Sequence, residues 1–377
     1  MNSQPTVSIC LPTFNGERYL EKAIASALQQ SFDDFELVIC DDCSTDATVE
    51  IIQRYAAADP RLLWCKNDAR KGLFSNYNEC LKRARGRFIR LFAQDDLLHP
   101  EAVKRAVVVM EQHPQVALVS CGKEVILDGG LHQPPASACD ANRPLDGQAV
   151  AAQLLIGLSN FIGEPSAVMF RGDVVQSGFD PHFYHLGDTD LWVRVLSAGD
   201  YFHLDEPLCT FRQHSCSATT RNLRGLLFAP DFLRLGDKYG ELLEGQGMSR
   251  EAYRRRVVEC LASFLGAQLE AGLTWPEVAE VHSGLTAGSH NDNLTAVTHG
   301  RSAALGPINP FVEIAYLSLA YAHELQERLE REHREWSAAM SNLSEQVKSV
   351  GSSGQRSLIW PLRKLVSLLP LPTDGRG

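Results

Sequence analysis

For residues 1–221 the sequence predicts an α/β fold, a mostly parallel sheet with helices on both faces. Three observations carry this expectation. Strand-like apolar runs alternate with helical patterns through the first 121 residues. Several of the runs end in clustered polar residues, where open sheets of this class gather their ligands. From Asn222 onward the strand signal stops, so a helical C-terminal extension follows.

The elements can be justified in order. Residues 7–11 read as a strand, and 17–29 as a helix with Leu20, Ile24, Ala27 and Leu28 at helical spacing. Residues 35–40 form a second strand and 48–57 a second helix; 62–65 is a third strand and 75–84 a third helix. Gly86 leads into an apolar strand from Phe88 that runs to Asp95. A helix over 100–112 and a strand over 116–121 follow. Residues 128–165, richer in Pro, Gly and Ala, read as a loop-rich excursion. A strand over 166–171 and a helix over 188–197 come next, and then helical regions at 226–245 and 249–272. The helical region is expected to span 222–350, with an imperfect heptad pattern over 311–350 compatible with a short coiled coil. A flexible Gly-Ser-Ser-Gly linker opens the last segment, 351–377. Its apolar positions 358, 362, 365 and 369 stand beside Arg356, Trp360, Arg363 and Lys364, which suits either a membrane interface or docking on the protein's own surface.

Composition narrows the function classes. A net charge of −10 over 377 residues argues against general nucleic-acid binding, which needs a basic footprint. No apolar run approaches the ~20 residues of a membrane-spanning helix, and residues 1–11 lack signal-peptide character. The ten cysteines lie mostly within apolar runs, as expected of core residues in a reducing cytoplasm. Cys40-Asp41-Asp42-Cys43 has no second cysteine pair at zinc spacing and closes a strand, so it reads as incidental.

The chemistry is concentrated at strand ends. Gln94-Asp95-Asp96 terminates an apolar run in two carboxylates, which simple burial would penalise. Such a pair can hold a divalent cation, and a divalent cation commonly accompanies phosphate. Pro12-Thr13-Phe14-Asn15-Gly16 and Asp41-Asp42-Cys43-Ser44-Thr45-Asp46 would meet it along one sheet edge. Asp42 can accept a hydrogen bond from a base N–H, while Asp46 suits a helix cap. In Gly187-Asp188-Thr189-Asp190-Leu191-Trp192, helical geometry places Asp188 on the face of Leu191, Trp192 and Val195 and turns it inward. Asp190 is expected on the outer face, paired with Arg194 at i+4.

These motifs, in this order and with Asn76-Tyr77-Asn78 and Pro100 between and after them, resemble the family 2 glycosyltransferases, which have the GT-A fold. The likeness covers roughly residues 5–220. It implies a nucleotide-binding set of Pro12, Thr13, Asn15, Asp42, Asn76 and Gln94, with Asp42 on the base. It further implies metal ligation by Asp95 and Asp96, and a role for His214 as a further metal ligand or a diphosphate contact, within an R-x-H segment whose Arg212 would contact phosphate. Glu164, in a segment resembling the acceptor side, would line the acceptor pocket or lie solvated in a loop. Asp188 would be the catalytic base. Two positions depart from the usual pattern: Ala93 stands where most members have the first Asp of D-x-D, and Gly187 where they have Glu. Ala93 with Gln94-Asp95-Asp96 and the upstream Asn-x-Asn resembles a subgroup reading x-Gln-Asp-Asp.

The resemblance implies inverting transfer of a sugar from a nucleoside-diphosphate donor to an acceptor hydroxyl, with Mn²⁺ or Mg²⁺ as cofactor. A lipid-linked acceptor in bacterial surface-polysaccharide assembly would suit a cytoplasmic protein that touches the membrane through its tail, and a homo-oligomer is compatible with this. The alternative is a non-catalytic nucleotide-sugar-binding or scaffolding protein of the same fold. A dinucleotide-dependent oxidoreductase is disfavoured, since no G-x-G-x-x-G follows the first strand.

Overall fold

The computed structural model describes residues 4–270, apart from 128–129, 131, 134–141, 176, 215–216 and 225–226. The expected coiled coil, linker and amphipathic tail lie outside the described residues.

A single mixed sheet organises the chain. Its strands are β1 (Val7–Thr13), β2 (Phe35–Asp41), β3 (Leu62–Lys66), β4 (Phe88–Leu91), β5 (Leu97–Leu98), β6 (Val116–Leu127), β7 (His132–Gln133), β8 (Pro144–Leu145), β9 (Val168–Arg171) and β10 (Asp200–Gln213). The spatial order is β3-β2-β1-β4-β9-β6-β10-β5, with β7 beside β6 and β8 beside β10. β3, β2, β1 and β4 run parallel, as do β6 and β10, while β9 lies antiparallel between β4 and β6. Every residue of β1 and β2 is buried, which is why these strands read as unbroken apolar runs rather than alternating ones.

Helices α1 (Leu20–Leu28), α2 (Thr48–Ala58), α3 (Leu73–Arg83) and α4 (Ala102–Gln112) fall where the apolar periodicity predicts them. Each buries a stripe: Leu20, Ala23, Ile24 and Ala27 in α1, and Val103, Ala106, Val107 and Met110 in α4. α3 packs on β1 and β2, and α4 on β6 and β10. Helix α6 (Gly187–Leu196) packs on β6 and on α5 (Gly147–Ile156). Among the described residues, four helices follow β10: α7 (Ala218–Arg224), α8 (Phe228–Lys238), α9 (Gly240–Gly245) and α10 (Arg250–Glu270). α7 crosses the expected boundary at residue 221. Among the described residues, no helix is long and apolar enough to cross a membrane.

The structure corrects three expectations. β4 ends at Leu91 rather than at Asp95, because the Ala93 N–H is taken by the Ser166 hydroxyl at 3.0 Å instead of a neighbouring strand. The excursion over 128–165 contains α5, whose start is capped by Asp146 accepting from the Ala149 N–H at 2.8 Å. β10 has no counterpart in the sequence reading: its pairing with β6 slips on both sides of Pro207, and that irregularity breaks the period a strand should show.

Candidate active site

β1 lies between β2 and β4 and runs parallel to both, so the polar ends of the three strands share one edge. Gln94 joins two of them. Its Oε1 accepts from the Thr13 hydroxyl (2.6 Å) and the Phe14 N–H (2.9 Å), and its Nε2 donates to the Phe14 carbonyl (3.1 Å). Gly16 is fixed by this contact, since a Cβ there would lie 2.5 Å from Gln94 Oε1. Pro12 is buried within β1 opposite Cys40. Exposed Asn15 accepts from the Thr45 N–H at 2.9 Å and so ties the β1 end to the β2 end.

Asp42 is buried beneath the loop that follows β3. Its carboxylate accepts from Asn67 Nδ2 (2.9 Å), the Lys71 N–H (2.8 Å) and the Gly72 N–H (2.8 Å). An ionised carboxylate offers about four acceptor sites, and three of them are used here. Asn76 is also buried: Nδ2 donates to the Cys40 carbonyl (2.8 Å) and more weakly to Thr13 (3.3 Å), while Oδ1 accepts from Asn67 (2.9 Å). Both amides therefore tie the ends of β1 and β2 to each other and to the start of the loop after β3. Asn67 is a central partner that the sequence reading missed, because nothing local distinguishes it from a polar loop residue.

The two adjacent carboxylates have different environments. Asp96 is buried and uses both oxygens internally, accepting from the Ser166 hydroxyl (2.5 Å) and the Arg212 N–H (2.8 Å). Burial, and next the charge of Asp95, push its pKa well above the ordinary carboxyl value. Asp95 stays partly exposed, with Oδ2 3.0 Å from His214 Nε2. Arg212 closes the far side: its Nε donates to the Asp95 carbonyl (3.0 Å) and its guanidinium lies 4.6 Å from the Tyr19 ring centre. Among the described residues, no group of three or more His, Cys, Asp or Glu is arranged to hold a metal. The residues present still fit a hard cation bound jointly with phosphate, because Mg²⁺-type ions take one or two protein ligands and fill the rest with phosphate oxygens and water. Asp95 and His214 are the pair in position for this; Asp96 is engaged elsewhere.

Because β9 runs antiparallel, the segment entering it arrives at this same edge. Residues 160–166 bridge the Asp95–Asp96 turn to helix α6. Ser166 binds Asp96, Glu164 forms an ion pair with Lys123, the Gly163 carbonyl accepts from Trp192 Nε1 (3.3 Å), and Asn160 Nδ2 donates to Asp188 Oδ2 (2.8 Å). Asp188 Oδ1 accepts from the Thr189 N–H at 2.7 Å. Its surroundings desolvate it while leaving part of its surface open, and this burial, reinforced by the Glu164 charge, raises its pKa to about 7. At the preceding position a Cβ on Gly187 would fall 2.6 Å from the Phe74 ring. The aromatic side chain therefore fills the space that a larger residue 187 would need.

Asp190 requires a correction. The expected pair with Arg194 is present at 3.0 Å, but Asp190 is fully buried. It also accepts from the Tyr239 hydroxyl (2.7 Å) and pairs with Lys238 (2.6 Å), both at the end of α8. A second carboxylate from α8 braces the same helix. Asp231, fully buried, accepts through Oδ2 from the consecutive N–H groups of Tyr184, His185 and Leu186 at 2.6–2.9 Å, and pairs with Arg234. These three residues lead directly into α6 and Asp188.

Comparison with known proteins places these features in a family. The model of glycosyl transferase family 2 matches residues 8–178. An uncharacterized protein of Mycobacterium tuberculosis is 31% identical over 231 residues, which cover 58% of this chain and 70% of that one. WcaA of Escherichia coli K12, named as a colanic acid biosynthesis glycosyl transferase, is 27% identical over 209 residues, 55% of this chain and 72% of its own. EpsE of Bacillus subtilis, named as a glycosyltransferase, is 37% identical over 132 residues, and the match spans 35% of this chain and 48% of EpsE. Among solved structures, S. aureus TarS 1–349 aligns with a TM-score of 0.50 at 19% identity, covering 69% of this chain and 70% of that one. That likeness concerns the fold.

Proposed function

The chain belongs to glycosyl transferase family 2 and has the GT-A fold, and from that premise we propose that it transfers a sugar from a nucleoside-diphosphate donor to an acceptor hydroxyl with inversion at the anomeric carbon. The observation that carries this reading is the division of labour along one sheet edge. A carboxylate–imidazole pair, Asp95 and His214, lies at the Gln94–Asp96 turn, and a separate desolvated carboxylate, Asp188, opens α6. The segment 160–166 links the two centres.

In this mechanism the donor nucleotide lies over the ends of β1 and β2, with the remaining acceptor site of Asp42 toward the base. Asp95 and His214 would hold Mn²⁺ or Mg²⁺, and the chemistry such an ion would supply is Lewis-acid stabilisation of the departing diphosphate. Arg212 adds positive charge on the same side. Asp188 takes the proton of the attacking hydroxyl as general base, a task suited to a carboxylate whose pKa lies near the working pH. The Ala93-Gln94-Asp95-Asp96 turn supports the x-Gln-Asp-Asp subgroup, with Gln94 shaping the pocket through Thr13 and Phe14. A saccharide acceptor in polysaccharide assembly agrees with the naming of WcaA. The test is release of nucleoside diphosphate from a panel of nucleoside-diphosphate sugars with Mn²⁺ present and saccharide acceptors added. No turnover and no donor-dependent thermal protection across the panel would refute the reading; donor binding without turnover would favour the scaffolding alternative.

Two further outcomes are expected. Asp95→Asn lowers donor affinity measured with Mn²⁺ and leaves affinity in EDTA little changed, because the neutral amide loses the charge that holds the cation. Isothermal titration with and without metal checks this, and an undiminished Mn²⁺ effect in the variant rules out Asp95 as ligand. The pH dependence follows from Asp188. A base must be deprotonated, so kcat/KM for the acceptor rises as pH increases through about 7 and levels above it. A profile flat from pH 5 to 8 is incompatible with this assignment.

A further inference from the structure

We propose that Asn160 is the positioning residue of Asp188, fixing its carboxylate in one orientation toward the acceptor hydroxyl; this rests on the reading of Asp188 as the general base. The geometry leaves the Asn160 amide no choice of direction. Its Oδ1 accepts from the Gly163 N–H at 3.1 Å, so the NH₂ group must point the other way. That group donates to Asp188 Oδ2 at 2.8 Å and to the Gly163 carbonyl at 3.1 Å. Gly163 has φ +112°, a conformation that an L side chain rarely adopts, and this brings both its backbone groups onto one asparagine.

The turn is in turn anchored to α6. The Gly163 carbonyl accepts from Trp192 Nε1 at 3.3 Å, and Trp192 lies one helical turn beyond Asp188 on the same face. Asn160 is thus held by a loop that is itself fastened to the helix carrying the carboxylate. The other groups acting on Asp188 are its own backbone N–H, the N–H and hydroxyl of Thr189 on the same helix, at 2.7 and 3.5 Å, and the charge of Glu164, which Lys123 partly neutralises. Asn160 is the one side chain from outside α6 among the described residues that donates a hydrogen bond to Asp188. A hydrogen bond to the charged form favours that form. Asn160 therefore opposes the burial that raises the carboxyl's pKa, and keeps the base available near neutrality.

The test uses the full chain labelled with ¹³Cγ-aspartate, the Asp188 signal being assigned by its absence in Asp188→Asn. In Asn160→Ala the Asp188 carboxyl titrates at a higher pH, by about one unit. The acid limb of kcat/KM for the acceptor moves up with it, and kcat at pH 7 falls roughly tenfold with donor affinity unchanged. Asn160→Ser, which keeps a donor on a shorter side chain, shifts both midpoints less and in the same direction, and it decides the matter if the alanine variant does not fold. An Asp188 titration identical in native and variant proteins overturns the proposal. A moved titration with an unmoved acid limb overturns the reading of Asp188 as base, and the positioning role falls with it. The two failures are therefore distinguishable.

Discussion

Asp188→Asn is expected to lower kcat by roughly 10²- to 10⁴-fold, the usual cost of losing a general base. The substitution preserves size, and its one amide oxygen can still accept from the Thr189 N–H, so α6 should keep its start; the bond from Asn160, which uses the second carboxylate oxygen, is lost. What it removes is the capacity to take a proton at neutral pH. Donor affinity should be unchanged, because in the proposed mechanism the nucleotide lies over the ends of β1 and β2 while Asp188 acts on the acceptor. Measuring kcat, donor Kd and Tm together separates the cases. Normal turnover, or a loss that follows unfolding alone, would leave Asp188 a helix-start aspartate and nothing more.

The largest effect on stability is expected at Asp231. Asp231→Ala removes the acceptor of three consecutive backbone N–H groups and the partner of Arg234, in a place with no exposure to water. Removing a buried acceptor shared by three N–H groups costs roughly 3–5 kcal/mol, at about 1–3 kcal/mol for each polar group left unsatisfied. For a protein of this size that corresponds to a fall in Tm on the order of 10 °C. Asp237→Ala provides the comparison: that carboxylate, on the same helix, makes an exposed pair with Arg254, and its loss should stay within about 1 kcal/mol. Well below melting, Asp231→Ala should also lower kcat, since residues 184–186 set the start of α6. Equal melting of the two variants would mean that α8 does not brace the catalytic helix.

Much of the edge shared by β1, β2 and β4 was legible because its signals are local. An apolar run closed by Asp41-Asp42 or by Gln94-Asp95-Asp96 announces both a strand and its functional end within ten residues. The inward turn of Asp188 was legible too, since Leu191, Trp192 and Val195 mark the buried face of a short helix. The burial of Asp190 was not, because Lys238 and Tyr239, which enclose it, lie some fifty residues away in sequence. The same applies to Asp231 and to Ser166, whose partners at 184–186 and at Asp96 are set by tertiary packing. Asp95 and Asp96 look equivalent in sequence; only the Ser166 hydroxyl and the Arg212 N–H distinguish the engaged carboxylate from the open one. β10 was hidden for a different reason: the slips beside Pro207 erase the alternation by which a strand is recognised.

The antiparallel course of β9 has a consequence for how this protein can diversify. In the proposed mechanism most of the donor side is written in one stretch of chain, Pro12 to Asp96, joined by Arg212 and His214 from the end of β10 onward, and the acceptor side in another, Asn160 to Asp188. They meet at the Ser166–Asp96 hydrogen bond, with residues 97–159 passing between them. Selection on the sugar nucleotide and selection on the acceptor thus fall on separate blocks of the gene. Recombination within the intervening segment is expected to exchange the acceptor block on its own only where Ser166 with Asp96, and Arg212 and His214 with Asp95, are inherited as matched sets.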